Sequence, residues 1–315
     1  MKILFTSVGR RVELMQAYKK ASIDCGIDLE LYGGDTSATA PALQFCDKTV
    51  ELPPIKDQSY IPFLIDFCVN EQIDALIPTI DTDLLILAEN KERFGKTKVV
   101  ISDPDKIKLC RDKRLTADFF MSVGLKSPSP VEKVELYTGG FPAFIKPKDG
   151  SSSINAYKVE NEQELRTMAE MVPDYIIQKF VSGTEFTVDV FCDFSGNPIY
   201  ITPRIRLAVR SGEVLKTQIS RDQTIINEMK QLITVYKPCG PITIQLIRDN
   251  DTGDDYYIEI NPRYGGGAPL SIKAGADSAV AMLSLLKGEK IEYMPFAAED
   301  GAIYSRYDQS VRVDR

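Results

Sequence analysis

Residues 256–267 read YYIEINPRYGGG. Tyr256, Tyr257, Ile258 and Ile260 form an apolar run that predicts a strand. Glu259 stands inside it, Asn261 follows two residues on, and Pro262, Arg263 and three glycines come next. A buried, unpaired carboxylate is costly or changes its protonation state. The position of Glu259 therefore calls for a chemical reason.

The segment just upstream supplies one. ITIQLIRD (242–249) reads as a second strand, and the polar turn NDTGDD (250–255) joins it to the first as a hairpin. Residues two apart on a strand face the same way, so Glu259 and Asn261 share a face. The hairpin brings Gln245 beside them. One carboxylate and two amide oxygens are hard donors suited to Mg²⁺, which shares its shell with waters and substrate phosphates; Mn²⁺ is the alternative ion. The plain alternative is a hydrogen-bonded polar cluster closing a hairpin.

Other charges sit at the ends of apolar runs. Lys146 ends the strand in FPAFIKPKDG (141–150), and Ser151, Ser152 and Ser153 follow Gly150. A lysine leaving a strand beside a small hydroxyl-rich loop suits a phosphate cradle, with loop N–H groups and hydroxyls around the oxygens. No Walker A motif is present. Lys113 lies in CRDKRL and Glu185 in SGTEFTVD; each by itself reads as solvent-facing. Arg204, Arg206 and Arg210 share parity in PRIRLAVR, which predicts a basic stripe on one strand face or a solvated one.

Composition narrows the chemistry. The 315 residues are 43% hydrophobic and 26% charged, with a net charge of −7, so there is no basic surplus for a nucleic-acid partner. The chain has no histidine, which excludes imidazole as base or ligand. Phosphoryl transfer, which needs positioned charges and metals, fits that limit. The six cysteines form no C-x-x-C pair and read as buried thiols of a cytoplasmic protein. No signal peptide, transmembrane helix or membrane partner is expected.

Along residues 1–110, short apolar strands (KILFT, LELYGG, KTVEL, ALIPT, KVVIS) alternate with helical segments. That alternation predicts a parallel sheet covered by helices. Ligands bind such sheets beyond the strands' carboxyl ends, here residues 7–10, 34–36 and 79–82. No G-x-G-x-x-G occurs, so a dinucleotide site is not expected. From about residue 111 the pattern becomes α+β: a helix over 110–124, hairpin-like strands, a helix over 222–236 and a last helix over 270–287.

Together these pieces resemble the ATP-grasp superfamily, and most closely one synthetase half of the carbamoyl-phosphate synthase large subunit. The resemblance implies an α/β fold: a parallel-sheet pre-grasp domain (1–110), then a two-lobed α+β ATP-grasp domain (111–315), with lobes of about 111–180 and 181–315. It implies that Gln245, Glu259 and Asn261 bind metal and that Arg263 holds phosphate or acyl-phosphate oxygens. Lys113, Lys146 and the loop of Ser151, Ser152 and Ser153 would bind phosphates. Gln178, Lys179 and Phe180 would border adenine, and Glu185 would hold the ribose. Arg206 joins Arg263 and Lys146 as a candidate for spreading developing charge. The activity implied is an ATP- and Mg²⁺-dependent carboxylate–amine ligase working through an acyl phosphate. A subunit phosphorylating bicarbonate or carbamate, and a non-catalytic nucleotide-binding regulator, are the alternatives. Partners would be a small carboxylate and an amine, with a homo-oligomer or an ammonia-supplying chain as further expectations. YGGG departs from the residues that usually follow N-P-R in carbamoyl-phosphate synthase, so the acceptor is the part least fixed.

Overall fold

The computed structural model describes residues 1–150, 154–210 and 212–313. The first region runs β1 (Lys2–Thr6), α1 (Val12–Asp24), β2 (Glu30–Asp35), β3 (Lys48–Glu51), α2 (Tyr60–Glu71), β4 (Ala75–Pro78), α3 (Leu84–Asn90) and β5 (Lys98–Val99). All strand pairs are parallel, in the order β3-β2-β1-β4-β5. Leu14, Met15, Tyr18 and Ala21 of α1 are buried, the helical spacing that packs one face on the sheet. The strand order reverses between β1 and β4, so a crevice opens at their carboxyl ends.

Next come α4 (Pro104–Arg111), α5 (Lys113–Ser122), β6 (Ala143–Pro147), β7 (Tyr157–Val159), α6 (Glu162–Met171) and β8 (Tyr175–Lys179). The one helix expected over 110–124 is divided at Asp112, whose extended backbone ends α4 and whose carboxylate accepts the Arg114 N–H to cap α5. Strands β7-β6-β8 form a small antiparallel sheet. It has its own core of Val134, Ala143, Ile145, Val159, Leu165 and Ile177.

The remaining elements are β9 (Gly183–Cys192), β10 (Pro198–Arg210), β11 (Glu213–Ile219), α7 (Gln223–Tyr236), β12 (Pro241–Asp249), β13 (Asp255–Asn261), α8 (Ala268–Lys273), α9 (Ser278–Leu286) and β14 (Ile303–Ser305). Their sheet runs β13-β12-β9-β10-β11-β14. The single last helix expected over 270–287 is two helices, α8 and α9. Gly275 breaks it at φ +112, and Asp277 caps α9. The edge strand β14 is too short for periodicity to reveal.

One hydrophobic core runs from Ile3, Phe5 and Tyr18 to Phe191, Tyr264, Ala268 and Met282. It joins the parallel sheet to α8, α9 and the large antiparallel sheet. The turn after β13 is thereby pressed against the crevice between β1 and β4.

Candidate active site

The hairpin read from the sequence is present, and Gln245 pairs directly with Glu259 across β12 and β13. A register shift beside this pair, between Gln245 and Leu246, accommodates Ile258 as the extra residue. Asn261 Nδ2 donates to Glu259 Oε1 at 2.9 Å, so those two share a face. Its Oδ1 in turn lies 3.3 Å from Arg263 Nη2. The oxygens of Gln245, Glu259 and Asn261 could hold a hard divalent cation: the set contains one carboxylate, two amides and no sulfur or imidazole.

Gln245 and Glu259 line a cavity of about 500 Å³ between the small and large antiparallel sheets, the size of a cofactor-sized site; Asn261 lines a smaller adjoining pocket with Glu259, Lys113 and Asp81. Lys146 enters the larger cavity from the end of β6 and is 7% exposed. Burial pulls its ammonium down to about 8 from the ordinary 10.5; Glu259 opposes that shift and Lys113 adds to it. Lys113 opens α5, lines the same cavity and donates to Gly150 O at 2.8 Å. Its pKa is also lowered, first by burial. Arg111 pairs with Asp149 at 3.0 Å. The residues leading into the serine loop are thus tied to α4 and α5. Ser151, Ser152 and Ser153 themselves lie outside the described residues.

The far end is bordered by Gln178, Lys179, Phe180 and Glu185. Gln178 is buried and its side-chain amide donates to Pro128 O, so it offers the cavity backbone and not its amide. Phe144 and Phe180 stand 6.3 Å apart at a tilt of 40°. Glu185 is ion-paired to Arg206 Nε at 3.1 Å. The pair is close in distance, yet among the described residues Arg206 Nε is buried without a hydrogen-bond acceptor, so the contact is an ion pair and not an aligned hydrogen bond.

The basic stripe is only partly realised. Register shifts in β10 after Arg206 turn the strand. Arg204 is 1% exposed and bound to Asp189 at 2.7 Å. Arg206 faces the cavity, whereas Arg210 is exposed and pairs with Asp308 at 3.0 Å. Arg263 does not line that cavity. It reaches into the crevice of the parallel sheet and binds Asp81 at 2.6 Å. The sequence reading missed three residues there. Arg11 and Asp81 stand in the turns after β1 and β4, one beyond residues 7–10 and one inside 79–82, and their doublet and acidic turn were the available signals. Asp83 is fully buried; it accepts from Thr6, Ser7 and Tyr60, and burial raises its carboxyl to about 6.

A family model described as "ATP-grasp domain" matches residues 110–267, half of the chain. The chain belongs to the ATP-grasp family. A second model, "PylC-like, N-terminal domain", matches residues 3–101. Among curated proteins, this ATP-grasp chain is 27% identical over 260 residues to the carbamoyl phosphate synthase large chain, N-terminal section, of Aquifex aeolicus (70% of this chain, 46% of the other). It is 28% identical over 127 residues to 3-methyl-D-ornithine–L-lysine ligase of Methanosarcina acetivorans (40% and 32%). It is 29% identical over 160 residues to D-alanine–D-alanine ligase of Francisella tularensis (47% and 54%). The chain thus spans from 32% to 54% of the length of these relatives. Among solved structures, biotin carboxylase of Campylobacter jejuni in a β,γ-ATP complex superposes with a TM-score of 0.76 at 17% identity, over 96% of this chain and 74% of that one. L-amino acid ligase of Bacillus licheniformis gives 0.70 at 17% identity, over 91% and 74%. These two likenesses establish a shared fold. Among the described residues, no helix is long and apolar enough to cross a membrane.

Proposed function

We propose that this ATP-grasp protein is an ATP- and Mg²⁺-dependent carbon–nitrogen ligase that activates a carboxylate as an acyl phosphate. One observation carries the reading: Lys113, Lys146, Gln245, Glu259, Glu185 and Arg206 all line a single cavity of about 500 Å³ between two sheets. The division near residues 110 and 180 belongs to the same proposal. It is supported by the separate family matches and by the end of the small sheet at Lys179.

In this reading the adenine lies against Phe180 and the backbone of Gln178 and Lys179, and Glu185 accepts from the ribose hydroxyls. Lys113, Lys146 and the loop of Ser151, Ser152 and Ser153 hold the phosphates. Gln245, Glu259 and Asn261 would hold Mg²⁺, which would supply neutralisation of phosphate charge. A substrate carboxylate oxygen attacks the γ-phosphorus as the bond to ADP breaks. The amine nitrogen then attacks the acyl carbon, phosphate leaves, and the amine loses one proton. Arg263 and Lys146 stabilise the negative charge that develops. No imidazole is needed, because a neutral amine is already a nucleophile.

Amino acids are the favoured substrates, since two relatives are named for ligating them. Bicarbonate phosphorylation is the second reading, motivated by the carbamoyl phosphate synthase relative. A screen of amino-acid pairs, and of bicarbonate alone, for Mg²⁺-dependent ADP release tests both. ADP release that needs a carboxylate and an amine supports the first. Release on bicarbonate alone supports the second, and nucleotide binding without release under any condition sinks both in favour of a regulator.

A further inference from the structure

We propose that the carboxylate to be activated is clamped between Arg11, from the parallel-sheet domain, and Arg263, from the turn after β13. This assignment rests on the ligase reading above and names the acceptor site within it. Arg11 is half-buried at the carboxyl end of β1, where the strand order reverses. Among the described residues its guanidinium makes one hydrogen bond, a long one, Nη2 to Thr79 O at 3.4 Å. Around the same turn, Arg204, Arg263, Lys273 and Arg306 each hold a carboxylate within 3.3 Å. Among the described residues, Arg11 forms no ion pair.

Its neighbours make that shortage costly. Burial, first, and then the charge of Arg263 lower the pKa of Arg11; the carboxylates of Glu213 and Asp81 act the other way, yet neither is within ion-pair distance of its guanidinium. Among the described residues, Arg263 Nε is also buried with no acceptor. Spare guanidinium donors on two neighbouring arginines suit a planar carboxylate, which accepts paired hydrogen bonds.

The three glycines after Arg263 fit the same site. A Cβ on Gly266 would meet Arg11 Nη1 at 2.9 Å, and one on Gly267 would meet the Arg204 guanidinium at 2.8 Å. YGGG is thus the surface on which these arginines rest, and side chains there would push Arg11 aside. Arg263 links this point to the metal-ligand set, because its Nη2 also donates to Asn261 Oδ1 at 3.3 Å. A carboxylate held here would lie next to the end of the cavity where the γ-phosphate belongs.

The test is thermal unfolding of the full chain and of Arg11→Gln, with MgADP present. Chloride is exchanged for acetate, glycine, bicarbonate or phosphate at constant ionic strength. The expected result is that a carboxylate raises the wild-type Tm by about 2 °C or more and that Arg11→Gln loses this response. A response to bicarbonate but not to acetate or glycine assigns the clamp to the bicarbonate reading. Equal responses in both proteins, a response to phosphate alone, or no response to any anion overturns the proposal. If Arg11→Gln does not unfold cooperatively, Arg11→Lys takes its place, since a lysine keeps the charge but cannot make the paired bonds. MgADP titration by calorimetry separates the two levels. Wild-type protein that fails to bind MgADP refutes the ligase reading, whatever the anions do.

Discussion

Lys146 is a buried lysine whose ammonium is held down to about 8 before any ligand arrives. In the unfolded chain it keeps its proton to about 10.5. Between those values the unfolded state binds more protons, so the stability of the free protein rises with pH through that window. Nucleotide binding should run the other way. Phosphates favour the ammonium, so MgATP affinity should be constant below pH 8 and weaken about tenfold per unit above it, with proton uptake. Calorimetry from pH 7 to 9.5, in buffers of different ionisation enthalpy, checks this. Lys146→Met should bind weakly at every pH with no such slope; a slope that survives in the variant would remove Lys146 from the phosphate site. Glu259 acts on the same lysine. Glu259→Ala should lower turnover by about 10²–10³-fold and push the Lys146 pKa further down, because the carboxylate that opposes the shift is gone. Turnover near wild type at saturating Mg²⁺ would refute the metal assignment.

Among the elements, β10 decides which arginines can act. Its irregular register after Arg206 leaves Arg204 locked on Asp189, Arg206 beside Glu185 and Arg210 outside with Asp308. Regular alternation would have put all three on one face. Arg206 lines the cavity beside Glu185, which under the proposed function puts it at the nucleotide. Arg206→Lys should lower kcat/KM for ATP by about 10-fold or more, as loss of a charge-assisted contact does. The KM of the carboxylate substrate should stay within twofold. Steady-state kinetics that show the reverse split would move Arg206 to the acceptor. The β12–β13 hairpin shows a milder case: Ile258 bulges, yet Glu259 and Asn261 remain on one face.

At the scale of the molecule, the large core fuses the parallel sheet with α8 and α9, while the small sheet keeps a separate core of six buried residues. The cavity lies between the small sheet and the large antiparallel sheet, away from the parallel sheet, α8 and α9. Elements with little buried apolar contact open most easily. Hydrogen exchange with and without a non-hydrolysable ATP analogue should therefore show protection rising in β6, β8 and the approach to Gly150. Amides of β1, β4 and α9 should be unchanged. Equal protection of the small sheet in both states would contradict a nucleotide held between the sheets.

The sequence by itself determined what depends on neighbours along the chain. Period-two and period-3.6 patterns located most strands and helices. The two-residue spacing of Glu259 and Asn261 and the hairpin turn set up Gln245 opposite them, and Lys146 was visible as a charge ending an apolar strand. Short or broken elements such as β14 and the α8–α9 pair were not legible, because three residues carry no period and one glycine ends a helix whose apolar pattern continues. Only the tertiary structure decided which distant groups meet: Arg263 with Asp81, Arg206 with Glu185, and the Arg11 guanidinium over Gly266. The lowered pKa of Lys146 and the unpartnered Nε of Arg263 among the described residues belong to this second class. Desolvation and Coulomb energy depend on distance through space and on burial, and the folded packing alone fixes both.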